Sequence, residues 1–469
     1  MRTTSKPSRM NRRQFLHTAA GTGVALTYGR SALGGPESDD INVALIGAGG
    51  QGLVLFSACR RIPGIRFRAI CDMWEAYNLK RGARILETYG HPVTVYSNYE
   101  EMLNGEDDLD AVIVATPDFW HARHTIACLD AGLHVYCETP MSNTITGARS
   151  MVTAARKSGK LLQIGQQRRS NPRYIVCLQR LVRELGLLGP LVAAGGQWNR
   201  MAHPSLGWPK KAEIEGATLQ KHGYESMHHF RNWREYRGLG SGRMVDLGSH
   251  QVDVFNWFIG AQPRSVLASG ETSHSTQKTD AWYDSAAAIF NYDTPQGPVT
   301  ATYQTLVGNR HDGYLEKFMG NKGTLVLSER SRVGTLYPEP AIKGDDYVRW
   351  ATGLKEGHLT ASEQVMKLVE TMSIKQLAQV LSIDDTPHPV TLDSGKMVTA
   401  TMLSCDLATT LRKAYHQPHL ENFFDAIRGQ AELTCPGKIG YETAVTVLSI
   451  NKAIETGHKI SFEPADFIV

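Results

Sequence analysis

Residues 41–52 read INVALIGAGGQG, an apolar run that opens directly into the pattern Gly-x-Gly-x-x-Gly. The run predicts a buried strand, and the glycines predict a tight turn that leads into a helix. Gly47 permits the bend, Gly49 lets the backbone approach a pyrophosphate, and Gly52 lets the helix pack on the strand. We therefore expect a dinucleotide at this turn, with its phosphates at the helix N-terminus beside Gly50 and Gln51.

A carboxylate follows the next strand-like run. Residues 67–71 read FRAIC, and Asp72 comes directly after them, at the spacing of about twenty residues that dinucleotide-binding folds use. An acid at this position binds the adenosine ribose hydroxyls, and because it repels a 2′-phosphate, the sequence favours NAD over NADP. The alternative is a glycine-rich loop with an unrelated surface Asp.

The composition is that of a soluble globular protein, apart from the N-terminus. The 469 residues allow two or three domains, and 42% of them are hydrophobic and 20% charged. Residues 1–34 contain six Lys or Arg and no acid, so the formal net charge of +4 becomes −2 for the remainder. The remainder therefore offers no basic surface for nucleic acid.

The basic N-terminus resembles a twin-arginine export signal. Residues 11–16 read NRRQFL, and a weakly apolar stretch from Thr18 to Tyr28 follows, too short to span a bilayer. We expect a signal over 1–34, cut between Ala32 and Gly35, and a protein that is periplasmic or otherwise exported without membrane insertion. A disordered basic tail is the alternative. Since no NAD pool exists outside the cytoplasm, an exported enzyme must regenerate a tightly bound cofactor in its own site.

Apolar and helical patterns alternate in the next part of the chain. Strands are predicted at 41–46, 67–71, 111–115, 133–137 and 161–164, with helices at 50–60, 76–88, 120–131 and 144–158. This alternation is typical of a parallel sheet covered on both faces. We therefore predict an NAD-binding Rossmann domain over 40–165.

The pattern changes after residue 165. Strands are predicted at 190–199, 264–274, 284–292, 298–307 and 314–327, and helices at 172–186, 361–381, 394–414, 420–429 and 440–457. Turn signals such as DTPQG at 293–297 favour antiparallel connections. The fold class is α/β, with a substrate-binding α/β domain over 166–469 built on an open, mostly antiparallel sheet. Such sheets often bury one face on a partner subunit, so we expect a homo-oligomer through the open sheet.

Further motifs make the resemblance to one family specific. Residues 115–117 read ATP and are followed by His121 and His124, residues 131–140 read AGLHVYCETP, and residues 165–168 read GQQR. Residues 242–253, 421–428 and 440–444 continue the pattern. Together they resemble the Gfo/Idh/MocA family of glucose-fructose oxidoreductase and inositol dehydrogenase. Only about 335–415 lies outside the resemblance.

Loops that follow the predicted strands lie at the carboxyl edge of the sheet, where ligands bind. With the resemblance, this position implies further cofactor-binding residues: Thr116, Pro117, His121, Glu138, Thr139 and Gln167. Glu138 can accept hydrogen bonds from the nicotinamide ribose, or it is an exposed carboxylate at a strand end. Members of the family usually carry Lys between this Glu and the following Pro, but here the residue is Thr139. A neutral hydroxyl cannot replace the charge of an ammonium group. Either another residue moves the proton, or the chemistry differs from simple alcohol oxidation.

A helix-spaced set of ionisable residues offers that replacement. Asp246, His250 and Asp253 have the spacing i, i+4, i+7, which places them on one helix face. A His beside a carboxylate is an oriented acid/base pair, and the resemblance implies a substrate-binding Asp246 and a catalytic His250. A structural His on a helix is the alternative.

An aromatic and basic cluster precedes that helix, with Trp208, Tyr224, His228, Phe230, Trp233 and Arg234 among its members. Aromatic rings stack on pyranose faces while Arg and His bind hydroxyls. We assign substrate binding to Arg168, Trp198, His229, Arg231, Tyr236 and Asp246. Alternatively, the rings pack a long loop onto the sheet. No metal is expected, because His228, His229 and His250 lack a ligand signature and the seven cysteines, without a Cys-x-x-Cys pair, are interpreted as reduced core thiols.

These observations favour an exported NAD-dependent oxidoreductase that acts on a hydroxyl of a sugar, glycoside or cyclitol with a tightly bound, recycled cofactor. The first alternative is an NAD-dependent glycoside hydrolase or lyase that oxidises the ring transiently, with no net redox change. Thr139 and the export signal favour that alternative. The second alternative is a non-catalytic binding protein that retains NAD.

Overall fold

The computed structural model describes residues 40–202, 204–272, 281–383, 389–391, 395, 397–398 and 400–469. The predicted export signal over 1–34 and its cleavage site between Ala32 and Gly35 lie outside the described residues. Within them, no helix has both the length and the apolar character that a membrane crossing requires.

The N-terminal part forms a six-stranded parallel sheet. Its strands are β1 (Ile41–Ile46), β2 (Ile65–Cys71), β3 (Thr94–Tyr96), β4 (Ala111–Val114), β5 (His134–Cys137) and β6 (Leu162–Ile164). They lie in the order β3-β2-β1-β4-β5-β6, so the strand order reverses between β1 and β4. β4 is buried along its whole length, as an apolar strand covered on both faces should be. The reversal creates the crevice in which such folds bind their ligands.

Helices connect these strands: α1 (Gly50–Cys59), α2 (Lys80–Thr88), α3 (Tyr99–Gly105), α4 (Asp118–Asp130) and α5 (Ile145–Ser158). Their ends follow local chemistry. The Thr144 hydroxyl accepts a hydrogen bond from the amide of Gly147 at the start of α5, and Gly159 ends that helix at φ +67°. The predicted alternation is confirmed. Strand β3 was not predicted, because it has three residues and exposes Thr94 and Val95.

The C-terminal part contains the helices α6 (Pro172–Val176), α7 (Gly216–Lys221), α8 (Met227–Arg231), α9 (Arg243–Ile259), α10 (Asp345–Lys355), α11 (Glu363–Thr371), α12 (Ile374–Val380), α13 (Gln417–Ile427) and α14 (Gly437–Thr456). Its strands are β7 (Leu191–Arg200), β8 (Pro263–Glu271), β9 (Ser285–Thr294), β10 (Gly297–Val307), β11 (Tyr314–Gly320), β12 (Gly323–Leu327), β13 (Gly334–Pro338), β14 (Leu359–Thr360), β15 (Leu381–Ser382), β16 (Val390–Thr391), β17 (Met397–Val398), β18 (Ala400–Thr401), β19 (Cys405–Leu407) and β20 (Ile460–Ser461).

Ten of these strands form one open sheet, in the order β14-β19-β13-β12-β11-β7-β10-β9-β8-β20. β7 and β10 run parallel and the other pairs run antiparallel. Buried and exposed side chains alternate along β10. Helices α9 and α14 pack on the sheet, while Leu267, Ile289 and Leu306 are exposed. The predicted fold class, a Rossmann domain followed by an open, mostly antiparallel sheet, is confirmed.

Two expectations about the outer part of this domain were wrong. The helix predicted at 394–414 is replaced, in its described residues, by β17, β18 and β19, because β19 pairs with β13 and β14 and this tertiary pairing outweighs local propensity. The helix predicted at 361–381 is two helices, α11 and α12. The break falls at Ser373, whose side chain and that of Gln376 form a reciprocal cap at the start of α12.

The cysteines are buried thiols, as the sequence predicts. All seven are buried and carry free thiols. Burial raises the pKa of Cys71 to about 12, so its thiol stays protonated and unreactive at neutral pH.

Candidate functional site

The glycine turn after β1 forms a cradle that larger residues would fill. Gly47 has φ +99°, and a Cβ there would lie 2.6 Å from the carbonyl oxygen of Ala115. A Cβ on Gly52 would overlap the carbonyl of Gly47, whereas the space around Gly50 is open. In the described part of the chain, no side chain caps the N-terminus of α1. The backbone amides of this turn can therefore receive a diphosphate, and the cradle fits a dinucleotide.

Asp72 lies at the adenosine end of this cradle. Its carboxylate accepts hydrogen bonds from the amides of Ala48 and Trp74, both at 2.8 Å, and from Asn78 Nδ2 at 3.2 Å. Burial raises the pKa of Asp72, while these three donors oppose that shift. The carboxylate is thus held rigidly where the sequence places the ribose-binding acid.

One cleft of about 790 Å³ extends from Asp72 in the Rossmann part to Trp198 and Tyr314 in the ten-stranded sheet. Its volume lies within the range of roughly 300–1,000 Å³ that is typical of ligand pockets. Among the predicted cofactor residues, the following line it: Gly47, Gly49, Gly50, Gln51, Asp72, Thr116, Pro117, His121, Glu138, Thr139 and Gln167. Gly52 packs behind the turn, as its predicted role in helix packing requires.

One side chain and one backbone amide donate to Glu138 at the far end of the cleft. Gln51 Nε2 donates to Glu138 Oε1 at 3.0 Å and lies 3.2 Å from His416 Nε2, while the amide of Thr139 donates to Glu138 Oε2 at 3.2 Å. Glu138 is therefore a buried, oriented carboxylate and not an exposed strand-end acid. Its position is fixed by the first turn of α1, which carries Gln51, and by the end of β5, which Glu138 and Thr139 follow.

His250 faces the residue that replaces the family's lysine. Its Nε2 lies 3.4 Å from Thr139 Oγ1, and its Nδ1 is buried without a hydrogen-bond partner among the described residues. Burial, with the nearby charge of Arg168 and two other imidazoles, holds the pKa of His250 well below its usual range. The ring is neutral at pH 7 and can accept a proton.

Asp246 does not orient His250 as the helix spacing predicts. Both residues line the cleft, but Asp246 Oδ2 pairs with Arg234 Nε at 3.1 Å. The third member of the predicted face, Asp253, is buried against Arg169 at 2.9 Å and accepts from Thr443. The spacing i, i+4 brings side chains to one face, and Arg234 from the preceding loop then competes for the carboxylate. Asp246 is thus a partner of Arg234, and Asp253 is structural.

His121 joins two loops that line the cofactor side of the cleft. Its Nδ1 lies 2.9 Å from the carbonyl of Pro140 and its Nε2 lies 2.8 Å from the carbonyl of Thr116. Burial lowers the pKa of His121 to about 4, so the ring is neutral and one of its two nitrogens donates. Its contacts position the segment around Thr139.

A platform of two rings forms the substrate side of the cleft. Trp198 and Tyr314 face each other across β7 and β11, with ring centroids 4.7 Å apart and an angle of 28° between the planes. The Trp198 ring centroid lies 6.0 Å from that of His250. A stacked pair beside a proton acceptor suits the C–H face of a pyranose or cyclitol.

Arg168 supports this platform from inside the protein, although the sequence assigned it to substrate. It is fully buried, pairs with Glu316 and, at 3.2 Å, with Glu329, and its guanidinium lies 5.8 Å from the Trp198 ring centroid. Burial opposes its charge, but the two carboxylates outweigh burial and raise the pKa of Arg168. Its Nε and Nη1 donate to Glu329 and Glu316, while its Nη2 is buried without a hydrogen-bond partner among the described residues. Because Arg168 does not line the cleft, it positions the platform and is not placed to bind sugar.

Three other residues assigned to substrate lie away from the platform. His229 and Tyr236 pack edge to face, with centroids 4.2 Å apart, and neither lines the cleft. Arg231 lines the cleft at the adenosine end, over the ring of Trp74 at 5.1 Å. The sequence alternative, rings that pack a long loop, describes His229 and Tyr236 better. His228 contacts Tyr236, so the structure does not bring His228, His229 and His250 together.

Four residues that line the end of the cleft containing His250 were not predicted from the sequence: Tyr314, Glu329, Tyr415 and His416. The first two depend on strand pairing that no local pattern reveals. Tyr415 and His416 directly precede α13, at the point where the family resemblance resumes. An aromatic residue and a His at a helix start were the signal available there.

Comparisons with known proteins give matches to both parts of the chain. Residues 41–166 match the sequence model of the Gfo/Idh/MocA oxidoreductase family with its NAD-binding Rossmann fold, and residues 205–462 match the C-terminal alpha/beta domain of that family. The second match runs through 335–415, which the motifs alone did not reach.

Relatives of two kinds share part of the sequence. Glycosyl hydrolase family 109 protein 2 from Shewanella sp. (strain ANA-3) is 33% identical over 172 residues, which cover 32% of this chain and only 37% of that relative. Inositol 2-dehydrogenase from Rubrobacter xylanophilus is 29% identical over 295 residues, or 62% of this chain and 72% of that relative. The solved aldose-aldose oxidoreductase from Caulobacter crescentus has a TM-score of 0.60 at 18% identity, over 90% of this chain and 100% of its own, which shows a shared fold.

Proposed function

Because the chain belongs to the Gfo/Idh/MocA oxidoreductase family, whose N-terminal domain binds NAD, we propose that it oxidises a hydroxyl of a sugar, glycoside or cyclitol with a retained and recycled cofactor. The observation that carries the proposal is the neutral His250, 3.4 Å from Thr139 and beside the Trp198 platform, in the same cleft as the glycine cradle. The names of the inositol dehydrogenase and aldose-aldose oxidoreductase relatives support a polyhydroxylated substrate.

The residues divide the work of this reaction. NAD, when bound, supplies the hydride acceptor, so the protein has only to orient the substrate and take one proton from its hydroxyl. Trp198 and Tyr314 orient the ring, and Glu138 is held where the nicotinamide ribose is expected. His250 Nε2 accepts the hydroxyl proton, directly or through the Thr139 hydroxyl.

Redox-neutral cleavage of a glycoside is a second candidate, supported by the family 109 relatives and by Thr139. Oxidising a ring hydroxyl to a ketone acidifies the neighbouring C–H, and loss of that proton expels the glycosidic substituent as an alcohol or alcoholate. Water then adds to the resulting double bond, and the hydride returns to the ketone. The balance is hydrolysis, with no electrons gained or lost.

We predict repeated turnover by the purified protein with no added nicotinamide. A cofactor that is regenerated in its own site makes external NAD unnecessary. In oxidoreduction, deuterium from the oxidised carbon of a labelled sugar is expected in a second, carbonyl-containing substrate. In redox-neutral cleavage, a glycoside processed in heavy water is expected to gain deuterium at one ring carbon and to release its substituent.

The products distinguish these outcomes by mass spectrometry and NMR. Protein emptied of nucleotide is the control, and it should turn over in neither assay. A single stoichiometric reduction of bound NAD, with no further turnover on any sugar, would contradict recycling and would favour a dehydrogenase that depends on soluble NAD.

We also propose export by the twin-arginine route, on the sequence of residues 11–16. Changing both Arg12 and Arg13 to Lys is expected to leave folded, NAD-loaded protein in the cytoplasm, because this pathway reads the arginine pair and not the charge alone. The control changes Arg9 to Lys, which keeps the pair. Fractionation followed by immunoblotting measures the result, and normal export of the double variant would exclude the route.

Assembly through the open sheet is a further part of the proposal. Leu267, Ile289 and Leu306 are exposed on β8, β9 and β10, with 43%, 43% and 36% of their surfaces accessible. A second copy of the chain would remove this apolar surface from water. Sedimentation of the purified protein tests this, and a monomer at micromolar concentration would contradict it.

A further inference from the structure

A segment of the C-terminal domain lies over the adenosine end of the cleft. We call residues 205–240 the cover; it connects β7 to α9 and includes α7 and α8. Several of its side chains line the cleft: Leu206, Lys221, His222, Tyr224, Phe230, Arg231, Trp233 and Arg234. The Rossmann side of the same region is lined by Asp72, Met73, Asn78, Ser97 and Asn98. The adenosine half of a bound dinucleotide would therefore lie between the two.

A small apolar core joins the cover to the Rossmann domain. Trp74, which follows Asp72 by two residues, is 1% exposed, and its indole Nε1 donates to the carbonyl of Ala212 at 2.5 Å. Its ring lies edge-on to Phe230, with centroids 5.5 Å apart. Leu219 and Met227 are buried in the same cluster. The cover is thus packed, and it cannot lift without exposing these apolar side chains to water.

Polar contacts fix the C-terminal end of the cover. Asn143 Nδ2 donates to the carbonyl of Leu239 at 2.9 Å. Just beyond the cover, the amide and hydroxyl of Ser241 donate to Asp118 at 2.9 Å and 2.5 Å, and Asn451 Nδ2 donates to the Ser241 carbonyl at 2.7 Å. These buried bonds hold the segment to the start of α4 and to α14, and this end does not open freely.

The cover also carries charge that suits a dinucleotide. Lys221 and Arg231 line the cleft, and Arg231 is held by a hydrogen bond from its Nε to the carbonyl of Gly207 at 3.2 Å. Arg234 also lines the cleft, but its charge is paired with Asp246. The carboxylate of Asp72 and the guanidinium of Arg231 attract each other, and this attraction favours the charged form of both groups. Cations that line a cleft for a dinucleotide strengthen binding of its anionic phosphates, most of all where water is excluded.

We infer that the cover encloses the adenosine half of NAD and sets the rate at which the cofactor leaves. The inference deepens the proposed retention of the cofactor and rests on that part of the proposed function. Release of NAD then requires the apolar core around Trp74 to come apart. Such a local opening is rare compared with the motion of an exposed loop. The inner surface of the cover then binds the nucleotide, and Arg231 and Phe230 face it.

The test measures cofactor exchange without any substrate. Purified protein loaded with NAD is mixed with an excess of isotopically labelled NAD, and the bound nucleotide is analysed by mass spectrometry over time. Leu219→Ala weakens the core of the cover without touching the cleft, and exchange should become at least about tenfold faster. Leu336→Ala is the matched control: it makes the same truncation at a fully buried position of β13 and should leave the exchange rate unchanged.

A second variant guards against misfolding. Trp74→Phe keeps an aromatic ring but removes the hydrogen bond to Ala212, and it too should speed exchange while the circular dichroism spectrum stays native. Equally slow exchange in the parent and in the folded cover variants would overturn the inference and leave retention of the cofactor standing. Exchange within seconds in the parent would overturn both. Because no sugar is used, a failure of the proposed reaction cannot produce either result.

Discussion

Replacing His250 with alanine is expected to lower turnover by about a hundredfold or more while NAD stays bound, as for loss of a general base. His250 is the titratable side chain whose ring nitrogen contacts Thr139, and it lies beside the platform that would hold the substrate. Thr139→Ala is expected to cost much less, since a neutral hydroxyl can pass a proton on but cannot hold it.

Single-turnover and steady-state assays, with bound NAD quantified in each variant, check this. His458→Ala is the control, because His458 is exposed and lies outside the cleft. A large loss in Thr139→Ala with little loss in His250→Ala would reverse the two roles. Equal losses in His458→Ala and His250→Ala would remove the catalytic assignment.

The depressed pKa of His250 gives this prediction a pH signature. The neutral ring accepts protons, and the folded protein keeps it neutral below the ordinary histidine pKa of about 6.5. Proton acceptance by His250 should therefore persist as the pH falls through 6.5 and fail only at lower pH. The acid limb of kcat/KM is expected below 6.5, and it should disappear in the residual activity of His250→Ala.

Asp72→Ser is expected to shift the ratio of NADP to NAD affinity toward NADP by roughly tenfold to a hundredfold, because the repulsion of the 2′-phosphate disappears. The structure adds a reason for a large shift. Arg231 lies near Asp72, so removing the carboxylate leaves a guanidinium available to a phosphate. The affinity for NAD itself should fall, since the ribose loses its acceptor and the amides of Ala48 and Trp74 lose theirs.

Equilibrium titration of nucleotide-free protein with both dinucleotides measures this ratio. Glu100→Gln serves as the control, since Glu100 is another carboxylate at the same end of the cleft and its removal changes the charge equally. An identical shift in the two variants would mean that general charge, and not the position of Asp72, selects the cofactor.

The glycine cradle and Asp72 could be predicted because their chemistry is local. A strand, a turn and a helix N-terminus are encoded within twelve residues, and the acid follows at a fixed distance along the chain. The same holds for Glu138 and Thr139 at the end of β5. In such places the backbone path alone decides where a side chain points.

The substrate side could not be predicted in this way. Trp198 meets Tyr314 through a strand pairing that joins residues more than a hundred positions apart, and sequence patterns do not specify such a register. Asp246 was expected to serve His250, but helix spacing gives proximity and not partnership, and Arg234 takes the carboxylate. His229 and Tyr236 have the composition of a sugar site, yet they pack on each other.

The buried ion cluster beneath the platform has a consequence for how this fold changes during evolution. Removing Arg168 would leave Glu316 and Glu329 buried without a counter-charge, at a cost of about 3–5 kcal/mol. Exchanging Trp198 or Tyr314 for another flat side chain changes only the surface on which a sugar ring would stack. Mutational drift is therefore strongly constrained below the platform and weakly constrained on it, so new sugar specificities can arise by replacing rings while the scaffold beneath them is inherited intact.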